Sequence, residues 1–140
     1  MTAFVTRRPV RFAHCDPAGI AYYPRLLEIC DGAIEDWTAE VMGVPRRILH
    51  LELELALPTV DLRASFVRPV RLGETLTIAT IVGDVGRSSV ELTTDVTCDG
   101  KARFSVHYKQ VLMGMREARA RAWPEEWRQR LLHAREEEIA

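Results

Sequence analysis

The stretch Phe12-Ala13-His14-Cys15-Asp16-Pro17-Ala18-Gly19-Ile20-Ala21-Tyr22-Tyr23-Pro24 holds the residues whose types and spacing can do chemistry. Asp16 stands just before a tight turn, and the turn feeds a helix that starts near Pro24. Proline suits the first helical position because its missing N–H would have no partner there in any case. The backbone N–H groups near Tyr23, Arg25 and Leu26 then lack intrahelical partners. They lie at the positive end of the helix dipole, which can hold an anion or polarise a carbonyl. A carboxylate facing the same spot is enough for acyl transfer to water. Taken alone, Asp16 before Pro17 reads first as a turn initiator, a common role for aspartate.

The neighbouring residues invite other chemistry that their spacing rules out. His14, Cys15 and Asp16 are adjacent, so in an extended chain they point to opposite sides and cannot make a Cys-His-Asp triad. The spacing also fits no metal, and no ligand cluster lies elsewhere in the sequence. Cys15 is expected to be a small packed residue. His107 falls on the polar side of its strand and is expected to be exposed.

The elements that must position Asp16 follow from periodicity. Phe4 to Phe12 reads as a strand broken by Pro9, hence an edge or bent strand. Leu26, Leu27, Cys30, Ala33, Ile34, Trp37 and Val41 recur at helical spacing, and the run stops near Gly43 and Pro45. Trp37 belongs to this apolar stripe. Arg46 to Leu55 is a short helix or irregular segment. Val60, Leu62, Ala64 and Phe66 alternate with polar neighbours as a half-buried strand. Thr75 to Val82 is a strand, and Gly83 to Gly86 the turn after it. Val90 to Cys98 and Ala102 to Tyr108 alternate likewise and are joined by Asp99-Gly100, a two-residue hairpin turn. After Gly114 the composition turns helical, and Pro124-Glu125-Glu126 marks a helix start. Trp127 and Leu131 share a face of that helix, and Glu136-Glu137-Glu138 is its solvated end.

A strand, a long helix, four strands on short turns and a terminal helix do not make an alternating βαβα pattern. A long helix on one face of an antiparallel sheet is the natural arrangement, an α+β fold. The 140 residues form one domain, 1–140, large enough to bury a core without staples. Lys plus Arg is 19 and Asp plus Glu is 20, a formal charge of −1. Such a chain has no global pull toward nucleic acid or an anionic membrane. No apolar run approaches a membrane span, and Met1 to Val10 lacks the apolar block of a secretory signal. Three cysteines, Cys15, Cys30 and Cys98, without CxxC spacing point to reduced thiols and a cytoplasmic setting.

The run Asp16-Pro17-Ala18-Gly19-Ile20, with Tyr22, Tyr23 and Pro24 after it, resembles the hot-dog fold acyl-CoA thioesterases. It is most similar to the 4-hydroxybenzoyl-CoA thioesterase branch, and the element order fits over nearly the whole chain. The resemblance implies a five-stranded antiparallel sheet wrapped around the long helix. It implies hydrolysis of an acyl-CoA, of benzoyl or hydroxybenzoyl type, to the acid and CoA, with no cofactor. Asp16 matches the catalytic nucleophile or general base, and the Tyr23 backbone N–H matches the group that polarises the thioester carbonyl. Gly19 matches a turn glycine, needed for positive φ or for close approach of the acyl chain. Tyr22 and Asp31 match positions near the substrate, and Arg87 falls where basic residues meet the CoA phosphates. Tyr22 replaces a tryptophan and Leu57 a threonine of the hydroxybenzoyl enzyme, which implies a greasier pocket less directed to a hydroxyl. The family also implies a homodimer or homotetramer with sites between subunits. The alternatives are an aliphatic acyl-CoA or acyl-carrier-protein thioesterase, a non-catalytic acyl-CoA binding module, or a dehydratase. The last would need a histidine on the helix, and none lies within Tyr22 to Met42.

Overall fold

The computed structural model describes residues 3–139; Met1, Thr2 and Ala140 lie outside it, as do the side chains of Glu136, Glu137, Glu138 and Ile139. Strand β1 (Phe4–Pro9) leads through a 3-10 turn (Phe12–His14) to helix α1 (Tyr23–Trp37). The helical path continues as a π turn (Thr38–Met42) and ends at Gly43, whose φ of 84° is the left-handed cap that glycine adopts freely. A second π turn (Ile48–Glu52) precedes β2 (Leu55–Ala56) and β3 (Thr59–Phe66). Then come β4 (Thr75–Val85), β5 (Ser89–Cys98), β6 (Lys101–Val111), β7 (Met113–Gly114), β8 (Arg119–Ala120) and α2 (Glu125–Ile139).

Five strands form one antiparallel sheet in the order β1-β4-β5-β6-β3. Its inner face carries Leu76, Ile78, Val82, Val90, Leu92, Val96, Phe104, Val106 and Tyr108, all buried. They meet the buried stripe of α1: Leu26, Ile29, Cys30, Ala33, Ile34 and Trp37. Period-two strands and a period-3.6 helix have thus each turned one apolar side to a shared core. This is the hot-dog arrangement, a long helix with a sheet wrapped about it. Asp99 and Gly100 both have positive φ, 53° and 74°, as a two-residue hairpin requires. Leu131 of α2 is fully buried, with Trp127 packed against the same core.

Four expectations need correction. The alternation of β3 predicts a half-buried strand, yet every residue from Thr59 to Phe66 is exposed. The strand lies at the sheet edge, with a paired neighbour on one side only. Its apolar side still turns inward, since Phe66 stacks on Phe104 with centroids 5.2 Å apart and meets Tyr23 edge-on. Secondly, β4 runs on through Gly83 to Val85, so the turn begins only at Gly86. Thirdly, Met113 to Ala120 folds back as two short strands beside β2 instead of a helix. Finally, His107 is only half-exposed, because its ring bridges Glu91 and Thr93 at 3.1 and 3.2 Å.

Candidate active site

The Asp16 loop is the tip of a small antiparallel fold-back. Tyr22 N–H donates to the His14 carbonyl, Cys15 bridges Ala21, and Asp16 N–H donates to the Ile20 carbonyl. This returns the chain to the start of α1 directly after the acid. Within the loop, the Asp16 Oδ1 accepts the N–H groups of Ala18 (2.9 Å) and Ile20 (3.2 Å). That is an Asx turn, in which one carboxylate oxygen organises its own loop. The other oxygen has no partner among the described residues, and Asp16 is exposed. Gly19 closes the turn at φ 77°, and a Cβ there would meet nothing within 4 Å. The glycine answers the backbone conformation, not crowding within the chain.

The helix start offers less than a bare N-terminus would. Arg25 and Leu26 N–H both donate to the Tyr22 carbonyl, at 2.9 and 3.3 Å. Pro24 has no N–H to give. The Tyr23 N–H is therefore the donor left over, at the positive end of a 15-residue helix. Tyr22, the N-cap, makes no capping bond, and its exposed ring sits edge-on to Tyr23 at 5.7 Å. A slot of about 310 Å³ opens beside Tyr23, lined by Leu26, Phe66, Val67 and Arg68. The base of the loop is held by the segment that follows β3. Ile20 bridges Arg71, Leu72 N–H donates to the Gly19 carbonyl, and Ala21 N–H donates to the Val70 carbonyl.

Asp31 lies two turns along α1, about 12 Å from Tyr23 at 1.5 Å per residue. It lines a second cavity of about 510 Å³ with Glu28, Glu35, Arg46, Leu57, Thr59 and Gln110 among others. Partial burial holds the Asp31 carboxyl above the usual carboxylate range, against the pull of Arg46. Leu57 is indeed here and buried, but the greasier pocket it implied is not. Charged and amide side chains surround it. Arg46, Thr59 and Gln110 had no signal in a local motif, because they come from three separate elements. A bulge between Thr59 and Asp61 lets Thr59 pair with Gln110 and face α1, where parity alone would put Val60.

Arg87 follows the far end of β4, which is 11 residues long. The Asp16 loop hangs on Arg71 and Leu72, at the near end. About 30 Å of strand separates the two at 3.3 Å per residue. One protomer therefore carries Asp16 and Tyr23 on the same fold-back and helix start, with Arg87 at the far end of the sheet.

Other reactive groups are accounted for by packing. Burial pushes the Cys30 thiol up to about 11, against the lowering influence of Thr94 and Tyr108, which leaves it inert at neutral pH. Glu74, Cys98 and Asp99 place donor atoms within 4.8 Å of one another. However, both Glu74 oxygens accept from Arg103, at 2.6 and 2.8 Å. A guanidinium already fills the position a cation would take.

A long helix wrapped by a five-stranded antiparallel sheet, with Asp16 on the fold-back that leads into the helix start, defines the hot-dog class of folds. Comparison with known proteins agrees: residues 10–131 match the model of the thioesterase-like superfamily, and the chain belongs to that family. A 1,4-dihydroxy-2-naphthoyl-CoA hydrolase of Nostoc punctiforme is 32% identical over 68% of this chain and 64% of its own length. The chain thus matches somewhat under two thirds of that relative. A solved 1,4-dihydroxy-2-naphthoyl-CoA thioesterase from Synechocystis superposes with a TM-score of 0.82 at 20% identity, covering 93% of this chain and 96% of the other. A Staphylococcus aureus protein solved in complex with CoA superposes at 0.89 with 15% identity, over 96% and 84%. The last two bear on the fold.

Proposed function

We propose that this chain hydrolyses an aromatic acyl-CoA thioester to the carboxylic acid and free CoA. The observation that supports the reading is that Asp16, with one carboxylate oxygen unpartnered among the described residues, lies on the fold-back that leads into the Tyr23 N–H at the helix start. The thioester carbonyl oxygen accepts the Tyr23 N–H, and the helix dipole favours the negative charge that develops there. Asp16 attacks the carbonyl carbon, giving as CoA departs a mixed anhydride that water then hydrolyses, or takes a proton from a water that attacks the carbonyl directly. CoA leaves as the thiol once its sulfur is protonated. Tyr22 borders the entry, and Gly19 shapes the turn that aims Asp16. The match to a 1,4-dihydroxy-2-naphthoyl-CoA hydrolase supports an aromatic acyl group.

Two further points belong to this reading. The exposed edge of β3, with Val60, Leu62 and Phe66, pairs with a second copy, giving a dimer or tetramer. Arg87 meets the CoA phosphates from a copy other than the one supplying Asp16. No described helix is long and apolar enough to cross a membrane. The test is thiol release from benzoyl-, hydroxybenzoyl-, dihydroxynaphthoyl- and aliphatic acyl-CoAs. The aromatic thioesters are expected to show the highest kcat/KM; absence of release from all of them overturns the reading.

A further inference from the structure

The segment 67–74 joins β3 to β4 and forms no helix or strand of its own. On one side it carries the Asp16 loop. The Val70 carbonyl accepts the Ala21 N–H at 2.7 Å, Leu72 N–H donates to the Gly19 carbonyl at 2.9 Å, and Arg71 bridges Ile20. With Phe66 it also walls the slot beside Tyr23, through Val67, Arg68, Pro69 and Val70. A segment without a ladder takes its path from whatever grips its other side.

Two residues supply that grip. The Arg103 carbonyl accepts the N–H groups of Val67 and Arg68, at 2.9 and 3.2 Å. The Arg103 Nη1 donates to the Pro69 carbonyl at 3.1 Å and to the Glu74 Oε1 at 2.6 Å, and its Nη2 donates to the Glu74 Oε2 at 2.8 Å. The same Oε1 of Glu74 accepts the Arg71 N–H at 2.7 Å. The Glu74 carbonyl accepts the Val10 N–H at 2.7 Å, which ties this end to the chain just past β1. Arg103 thus reaches both ends of the segment, and Glu74 reaches its middle.

Stability alone is a poor reason for such a pair. Arg103 is 9% exposed, and its Nε is buried with no partner among the described residues. A buried ion pair gains little over apolar side chains of similar volume, because desolvating both charges offsets their attraction. Its advantage is directional. The planar fork fixes distance and angle at two oxygens at once, which an apolar contact does not.

We propose that Arg103 and Glu74 are positioning residues for the hydrolysis, acting through segment 67–74 to hold the Asp16 loop in the orientation that presents its carboxylate to the thioester. The inference rests on the thioesterase reading. Neither residue belongs to the loop or to the helix start, so both act at one remove. A misplacement of about 1 Å at a reacting group costs about 10²-fold in rate, so a small slip of the segment is enough to matter.

The experiment compares wild type with the apolar pair Glu74→Leu/Arg103→Met and with Arg103→Lys, which keeps the charge and loses the fork. Thiol release is measured on the aromatic acyl-CoA that wild type hydrolyses fastest, and amide hydrogen exchange is read by NMR on the same proteins. The double variant is expected to melt within about 5 °C of wild type. Its kcat should fall about tenfold or more while KM changes less than about threefold. The amides of Ala18, Ile20, Ala21 and Leu72 should exchange about tenfold faster or more, with those of Ile78 and Leu92 in the sheet unchanged. Arg103→Lys should show the same split, with kcat down about threefold or more. A stable double variant with wild-type kcat overturns the proposal, and so does a fall in kcat without faster exchange in the loop. If the double variant does not fold, Arg103→Lys decides by the same two readings. A wild type that releases no thiol overturns the thioesterase reading and not the tether, which the exchange rates then decide.

Discussion

Arg103 of β6 grips Glu74 with two hydrogen bonds, at 2.6 and 2.8 Å, while a third Arg103 bond reaches the Pro69 carbonyl at 3.1 Å. Glu74 also accepts the Arg71 N–H at 2.7 Å. One bidentate pair thereby pins both ends of the segment 69–74, on which the Asp16 loop hangs through Gly19, Ile20 and Ala21. The guanidinium holds the Glu74 carboxyl down at about 2.

This linkage sets a pH dependence. A carboxylate whose folded value lies below its unfolded one stabilises the fold above the unfolded value. The contribution is full above about pH 5 and is lost as pH falls through about 2. Glu74→Gln is expected to lower the melting point at pH 7, and the gap to wild type should close toward pH 2. A gap that stays constant from pH 7 to pH 2.5 would show that the pair does not carry this stability. Arg103→Met leaves Glu74 charged without its partner and is expected to cost about 3 kcal/mol in urea unfolding at pH 7.

Asp16→Asn is a sharp probe because of how the two oxygens divide their work. Asparagine keeps the Oδ1 that accepts from Ala18 and Ile20, so the loop should hold. It cannot act as nucleophile or base through the other position. Turnover is expected to fall by about 10²–10⁴, with an unchanged melting point. Near-normal thiol release would remove Asp16 from the mechanism.

Gly19→Ala tests the turn. The site has room for a methyl group, but φ is 77°, so the penalty is conformational, about 1–2 kcal/mol. The loop should relax away from its left-handed conformation and misaim Asp16. The expected result is a fall in kcat larger than the change in KM. A fully active Gly19→Ala would show that the turn geometry is not needed.

The bare edge of β3 gives a test of assembly. Light scattering at micromolar concentration is expected to show at least a dimer. Leu62→Lys places a charge on the exposed edge strand, a device that blocks strand pairing. The expected outcome is a monomer that keeps its secondary structure and loses most activity. A wild-type monomer that hydrolyses thioesters would contradict the shared site.

Arg87 tests which thiol is recognised. A phosphate contact from an exposed arginine is worth about 1 kcal/mol, so Arg87→Ala should raise KM for an acyl-CoA about fivefold. The same acyl group on pantetheine, which lacks the nucleotide, should be unaffected. Equal effects on both substrates would place Arg87 outside the CoA site.

The sequence alone determined whatever depends on near neighbours in the chain. The helical stripe from Leu26 to Trp37, the period-two strands, the Asp99-Gly100 hairpin and the Asp16 turn at the helix start were all legible. Each follows from steric and hydrogen-bonding preferences acting over a few residues. Tertiary structure decided what depends on who covers whom. The alternation in β3 marks its inner side correctly, but only the sheet order leaves that side open. The free donors at the helix start shrink to Tyr23 because Tyr22 takes two of them. Arg46, Thr59 and Gln110 reach Asp31 from an irregular segment, a bulged edge strand and β6. Long-range packing brings these side chains together, so no local pattern in the chain announces them.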